Sequence, residues 1–115
     1  MSINSKLEEL VQMLTERTRQ KQVQWQVTAD EETFRLASNS GNVRVTRHEG
    51  FDQESMESYV YRTLQILNDR GRVIEEYSPK SPDRFAVFDE LFTHARRSAY
   101  KTEDVLDQLM MELSV

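Results

Sequence analysis

With 115 residues, a net charge of -5 and no cysteine, the chain is the size of one domain and long enough to bury about 65% of its unfolded surface without covalent staples. Disulfides, thiolate metal sites and cysteine nucleophiles are excluded, and a metal would have to be held by two histidines and carboxylates. The acidic balance repels nucleic acid, which is bound largely by neutralising its phosphates. With no long apolar run, the expectation is a cytoplasmic protein without membrane contact, folded as a single domain over residues 1–115.

Residues 3 to 20 read as a helix, because Ile3, Leu7, Leu10, Val11 and Leu14 recur at helical spacing while Glu8, Glu9, Glu16 and Arg17 fall outside that stripe. Ser5 and Glu8 form a capping box if the helix starts late. In QVQWQVT the rhythm changes: Val23, Trp25 and Val27 alternate with Gln22, Gln24 and Gln26, the mark of a strand with one wet face. After the polar turn Asp30-Glu31-Glu32, the stretch TFRLASNSGNVRV predicts a hairpin about Ser38 to Gly41, with Phe34 and Leu36 on the same face as Val43 and Val45.

The acidic stretch 49 to 57 has no apolar rhythm and reads as a loop. Strand pattern returns in YVYRTLQILNDRGRVIEEY, where Asn68-Asp69-Arg70-Gly71 suits a type I turn closed by a left-handed glycine. That turn is expected to set Ile66 opposite Ile74, with Leu64 on their face and Tyr61, Thr63, Gln65, Glu75 and Tyr77 on the other. Ser81-Pro82-Asp83 then supplies a cap, a first-turn proline and a first-turn acid for a second helix carrying Phe85, Phe88, Leu91, Phe92, Ala95 and Ala99 at helical spacing. Thr102 caps a third helix, in which Glu103 and Asp104 favour the positive start and Val105, Leu106, Leu109, Met110 and Leu113 form a broad stripe. The fold class expected is α+β in two layers: an N-terminal helix, a meander of about five antiparallel strands, and two C-terminal helices.

Catalytic chemistry finds no foothold in the spacing. His48, Glu49 and Asp52 match no metal-binding template, Gly41, Gly50 and Gly71 are too far apart to cradle a phosphate, and Glu75 and Glu76 are strand neighbours facing opposite sides. Neither a catalytic residue, a metal nor a cofactor is expected, and the chain reads as a non-enzyme. Trp25 and the phenylalanines, at alternating or helical spacing, read as core.

Binding is the remaining class. Arg35, Arg44, Tyr61 and Tyr77 on the wet sheet face combine guanidinium forks with amphipathic rings, a mixture enriched at interfaces, although a plain solvated face accounts for them as well. Arg96 and Arg97, at the end of the second helix, are either dipole-matched cations or a ligand-binding pair. Met111, Leu67 and Val73 fall outside the core stripes and leave apolar surface for a second subunit.

A leading helix, a strand bearing Trp25, the hairpin ILNDRGRVIEE, then ARRSA and the closing helix VLDQLMMEL succeed one another in an order that resembles a group of small uncharacterised bacterial α+β proteins and domains. The resemblance spans nearly the whole chain and rests on core and turn positions. It implies a shared fold and a bacterial or phage setting, and it carries over no catalytic or binding residue. The functional expectation is a homodimeric protein-interaction module. The alternative is a binder of a small anionic ligand such as a nucleotide, through arginine and tyrosine on the sheet face or the helix end.

Overall fold

Ser2 rather than Ser5 starts the first helix: its Oγ accepts the Ser5 backbone N–H at 3.1 Å, and α1 runs from there as Ile3–Arg19. The structure, a computed structural model, describes residues 2–79 and 82–114. Five strands come after α1: β1 (Gln26–Val27), β2 (Thr33–Ala37), β3 (Asn42–Asp52), β4 (Glu57–Leu67) and β5 (Val73–Tyr77). Each pairs antiparallel with its sequence neighbour, so the sheet order is β1-β2-β3-β4-β5, an uninterrupted meander. The helices α2 (Pro82–Ala99) and α3 (Thr102–Leu113) close the chain, giving the expected α+β architecture. The Ser81 cap and the Asp83 side chain lie outside what is described. No helix among the described residues is long and apolar enough to cross a membrane.

The core forms where α1 and α2 lie on one face of the sheet. Leu7, Val11 and Leu14 from α1 and Phe88, Leu91, Phe92 and Ala95 from α2 meet Trp25, Phe34, Val45 and Leu64. The register Phe34↔Val45↔Leu64 places these three side chains side by side on the inner face, with Leu36, Val43 and Ile66 in the next row. The first hairpin therefore has the predicted faces. Arg62 also lies inward, its guanidinium bonded to Asp89 and 5.3 Å from the centroid of the Phe92 ring.

Three local expectations are corrected. The strand expected over 22 to 28 shrinks to β1, because the Trp25 backbone N–H donates to Ser98 Oγ at 3.0 Å and the Gln24 amide to Ser98 O at 2.6 Å. These bonds divert the chain onto the end of α2 before it can join the sheet. The loop expected over 49 to 57 is instead ribbon: β3 and β4 stay paired as far as Asp52↔Glu57, and the turn is confined to residues 53–56. Past Arg47, whose N–H still donates to Glu32 O, the ribbon has only two strands and water on both faces, so it shows no apolar alternation. Gly50 allows the Tyr59 ring to lie across the strand: a Cβ there would come within 2.2 Å of it.

The third correction concerns the last hairpin. Gly71 adopts φ +79° as predicted, but the register shift falls farther into the strands: Leu67 pairs with Val73 and Ile66 with Glu75, which leaves Ile74 as the extra residue. Ile74 is consequently exposed, and every residue after it changes face. Tyr77, expected on the wet side, pairs with Leu64 on the inner side, its ring centroid 5.5 Å from that of Phe88 and its hydroxyl donating to Glu8 at 2.9 Å. Leu67, expected to lie outward and free, is buried.

The Trp25 indole N–H is buried with the ring and donates to Thr18 Oγ1 at 2.8 Å, while that hydroxyl donates to Leu14 O at 2.6 Å. A Thr18→Val variant keeps the shape of the side chain and removes the acceptor. It should lower stability by about 1–3 kcal/mol, the cost of a buried donor left unmade, measured as a shift of the urea midpoint, with Thr18→Ser restoring most of the loss.

Candidate functional site

The sheet's outer face gathers three of the residues singled out by sequence, Arg35, Arg44 and Tyr61. Cross-strand register puts Gln26, Arg35, Arg44, Gln65 and Glu76 in one row. Within it Arg35 donates to Gln26 at 2.9 Å, Arg44 to Gln65 at 2.7 Å, and Gln65 to Glu76 at 2.8 Å. The adjacent row is Thr33, Thr46 and Thr63, where Thr33 and Thr46 share a hydrogen bond of 3.0 Å and Thr63 bonds His48 Nε2 at 2.9 Å. Tyr61 stacks on the His48 ring, centroids 4.8 Å apart. At the edge of this surface, the Glu32 backbone N–H and the Thr33 hydroxyl, with a smaller contribution from His48, hold the Asp30 carboxyl below its ordinary range. Tyr77 lies on the other side of the sheet and does not join this face.

Arg96 and Arg97 lie in the last turn of α2, and since α2 packs on the inner face, they belong to a different part of the surface from Arg35 and Arg44. Arg97 lines a cleft of about 360 Å³ between the ends of α1 and α2 and the start of α3. Thr18, Lys21, Gln24, Ser98 and Lys101 contribute to its walls, as do the acids Glu103 and Asp104. His94 reaches the same cleft, its Nε2 lying 3.8 Å from Glu90 Oε1, the helical pairing that the spacing predicts.

Lys21 and Lys101 were not singled out by sequence. Each stands just past the end of a helix in the left-handed conformation, at φ +61° and +53°. The Lys21 N–H donates to Thr18 O and the Gln22 N–H to Arg17 O, closing α1 in the Schellman manner, and the Lys101 N–H donates likewise to Ser98 O at the end of α2. Lys101 also stands in the cap position of α3, where Thr102 was expected, and its side chain makes no cap hydrogen bond. A basic residue soon after a helical run is the only sequence signal of either lysine, and it does not distinguish a left-handed end from an ordinary last-turn cation.

No residue of α3 is buried. Val105, Leu106, Leu109, Met110 and Leu113 form the predicted stripe, and they are between 47% and 84% exposed. Met111 projects from the opposite side and is exposed too. Among the described residues, the side-chain bond between α3 and the body is the ion pair of Lys21 with Glu103. That bond, with the accompanying charge attraction, holds the Glu103 carboxyl below its ordinary range and the Lys21 ammonium above its own, and Asp104 and Asp107 raise Lys21 further.

The tie therefore persists across neutral pH. It is lost on the acid side as pH falls through the lowered Glu103 value, and on the alkaline side as pH rises through the raised Lys21 value. Both groups stand in water, so salt weakens the tie. Glu103→Gln should speed amide hydrogen exchange in α3 at neutral pH and remove the acid-side step in that exchange, with the urea midpoint of the whole chain almost unchanged. Comparison of the chain with protein-family models, with curated proteins and with solved structures finds no match.

Proposed function

We propose that the chain is a small non-enzymatic protein-interaction module that acts as a homodimer, its contact being the apolar stripe of α3. The observation that supports this is a helix with five large apolar side chains on one face and none of them buried. A helix of this length is marginal in water unless an apolar face is covered, and the body of the chain leaves this face open.

The spacing of the stripe favours a second copy as the cover. Thr102, Leu106, Leu109 and Leu113 fall four, three and four residues apart, the seam spacing of a coiled coil. In an antiparallel pair, Leu106 of one copy packs on Leu109 of the other, and Thr102 on Leu113. The flanking positions then set Glu103 beside Met110 of the other copy and Glu112 beside Val105, so the acids of α3 do not meet. One face of a helix about 18 Å long is smaller than the roughly 800 Å² that each partner gives to a stable interface. The expected dimer is therefore micromolar and concentration-dependent.

Sedimentation velocity over about 1–200 μM, a span chosen to bracket a micromolar constant, should show monomer passing to dimer. Leu109→Glu places a charge in the seam and should hold the chain monomeric throughout, while Met111→Glu, on the far side of α3, should dimerise as before. A monomer at every concentration, or a Leu109→Glu variant that dimerises like the unmodified chain, would overturn the reading.

A further inference from the structure

We propose that the cleft between the ends of α1 and α2 is a binding site for a phosphate monoester carried on a small organic group. Two independent observations meet there. The first is the set of cations left over after internal pairing. On the cleft wall Arg19 is held by Glu16, Lys21 by Glu103, and His94 sits by Glu90, whereas Arg97 and Lys101 have no side-chain partner among the described residues. The neutral polar groups beside them are committed: Thr18 Oγ1 serves Trp25 and Leu14, Ser98 Oγ accepts from the Trp25 N–H, and the Gln24 amide donates to Ser98 O and Trp25 O. The cleft thus combines a fixed polar wall with two unpaired cations.

The second observation is where its lysines stand. A helix that ends through a residue in the left-handed region favours glycine there, because a Cβ crowds the adjoining carbonyl. Both helices bordering the cleft put lysine there instead. The helix dipoles do not explain the choice, since Arg17 and Arg19 in α1 and Arg96 and Arg97 in α2 already supply cations to the last turns. Both strained positions open on the same cleft, and Arg97 shares its wall with them.

The chemical class is set by charge and size. A guanidinium fork takes two oxygens of a phosphate and an ammonium group a third. Glu103 and Asp104 on the wall oppose any anion and hold Lys21 on the protein's own account, so a singly charged carboxylate competes poorly, while a phosphate dianion draws Lys21 away from Glu103. The volume of about 360 Å³ falls in the range of small-ligand sites, roughly 300–1,000 Å³, and leaves room for an organic group beyond the phosphate.

The test is an amide NMR titration of the full chain with inorganic phosphate and with glycerol 3-phosphate, against sodium chloride at matched ionic strength. Saturable shifts confined to residues 18–24 and 94–104, tighter for the ester and absent with chloride, are expected. Arg97→Gln should weaken binding about tenfold, as expected for the loss of one charge-assisted contact. Lys101→Gly should weaken it similarly while keeping or raising the melting temperature, since glycine relieves the left-handed backbone, a combination that a purely structural lysine does not give. Shifts that are missing, scattered over the surface, reproduced by chloride, or unchanged in both variants would overturn the proposal.

Discussion

Everything at the helix-end cleft of this molecule hangs on the burial of Trp25 with both of its N–H groups satisfied. The indole N–H is taken by a hydroxyl from α1 and the backbone N–H by a hydroxyl from α2. One residue therefore binds the ends of two helices to the start of the sheet. A buried donor without an acceptor is costly, so the end of α1 cannot slide without breaking a bond that water is not present to replace, while the part-buried bond to Ser98 ties the end of α2. The cleft is the space left above this junction, and two of the polar atoms in its wall, Thr18 Oγ1 and Ser98 Oγ, are also the acceptors of Trp25.

The same junction determines how α3 leaves the body. The left-handed turn at Lys101 ends α2 and aims the chain away from the core. Beyond that turn α3 is a short helix tied by the exposed Lys21–Glu103 pair, and an exposed pair contributes little rigidity. The radius of gyration, 16.0 Å, exceeds the about 13 Å of a compact chain of this length, in keeping with α3 and the β3–β4 ribbon standing out from the packed layers. Association through α3 and anion capture in the cleft would share one component, since an anion that takes Lys21 releases Glu103, which flanks the seam of the helix.

The parts of this fold that were legible in the sequence are those where one face is dry. Helical spacing in α1 and α2 and alternation in β2 and the first half of β3 reproduce the buried set of Leu7, Val11, Phe34, Val45, Phe88 and Leu91, because water on one side and core on the other impose a period. Where both faces are wet, as in the ribbon beyond Arg47, the same strand geometry leaves no apolar rhythm and passes for a loop. Where the register slips, local pattern misleads: one extra residue at Ile74 turned Tyr77 from a candidate ligand contact into a core neighbour of Phe88. The cleft was least legible. Arg97 was visible as a helix-end cation and, with Arg96, as a candidate ligand-binding pair, but Lys21 and Lys101 come to it from positions about 80 residues apart, joined by tertiary packing alone.

On the outer sheet face, residues of interface-enriched types meet partners within the protein. Arginine and tyrosine are enriched at interfaces because they offer a charged fork or a ring with a polar tip. A sheet brings such residues into register, however, and register gives each a neighbour that engages part of what it offers, although Arg44 Nε is buried without a partner among the described residues. Arg35 is engaged with Gln26, Arg44 with Gln65, and Tyr61 with the ring of His48. A ligand arriving there would have to displace bonds already made at good geometry, and the exchange gains little. At the helix ends, no cross-strand partner exists to absorb Arg97 and Lys101. Among the described residues their side chains have no partner within the protein, so the basic chemistry that is partly engaged by neighbours on the sheet is left open to water in the cleft.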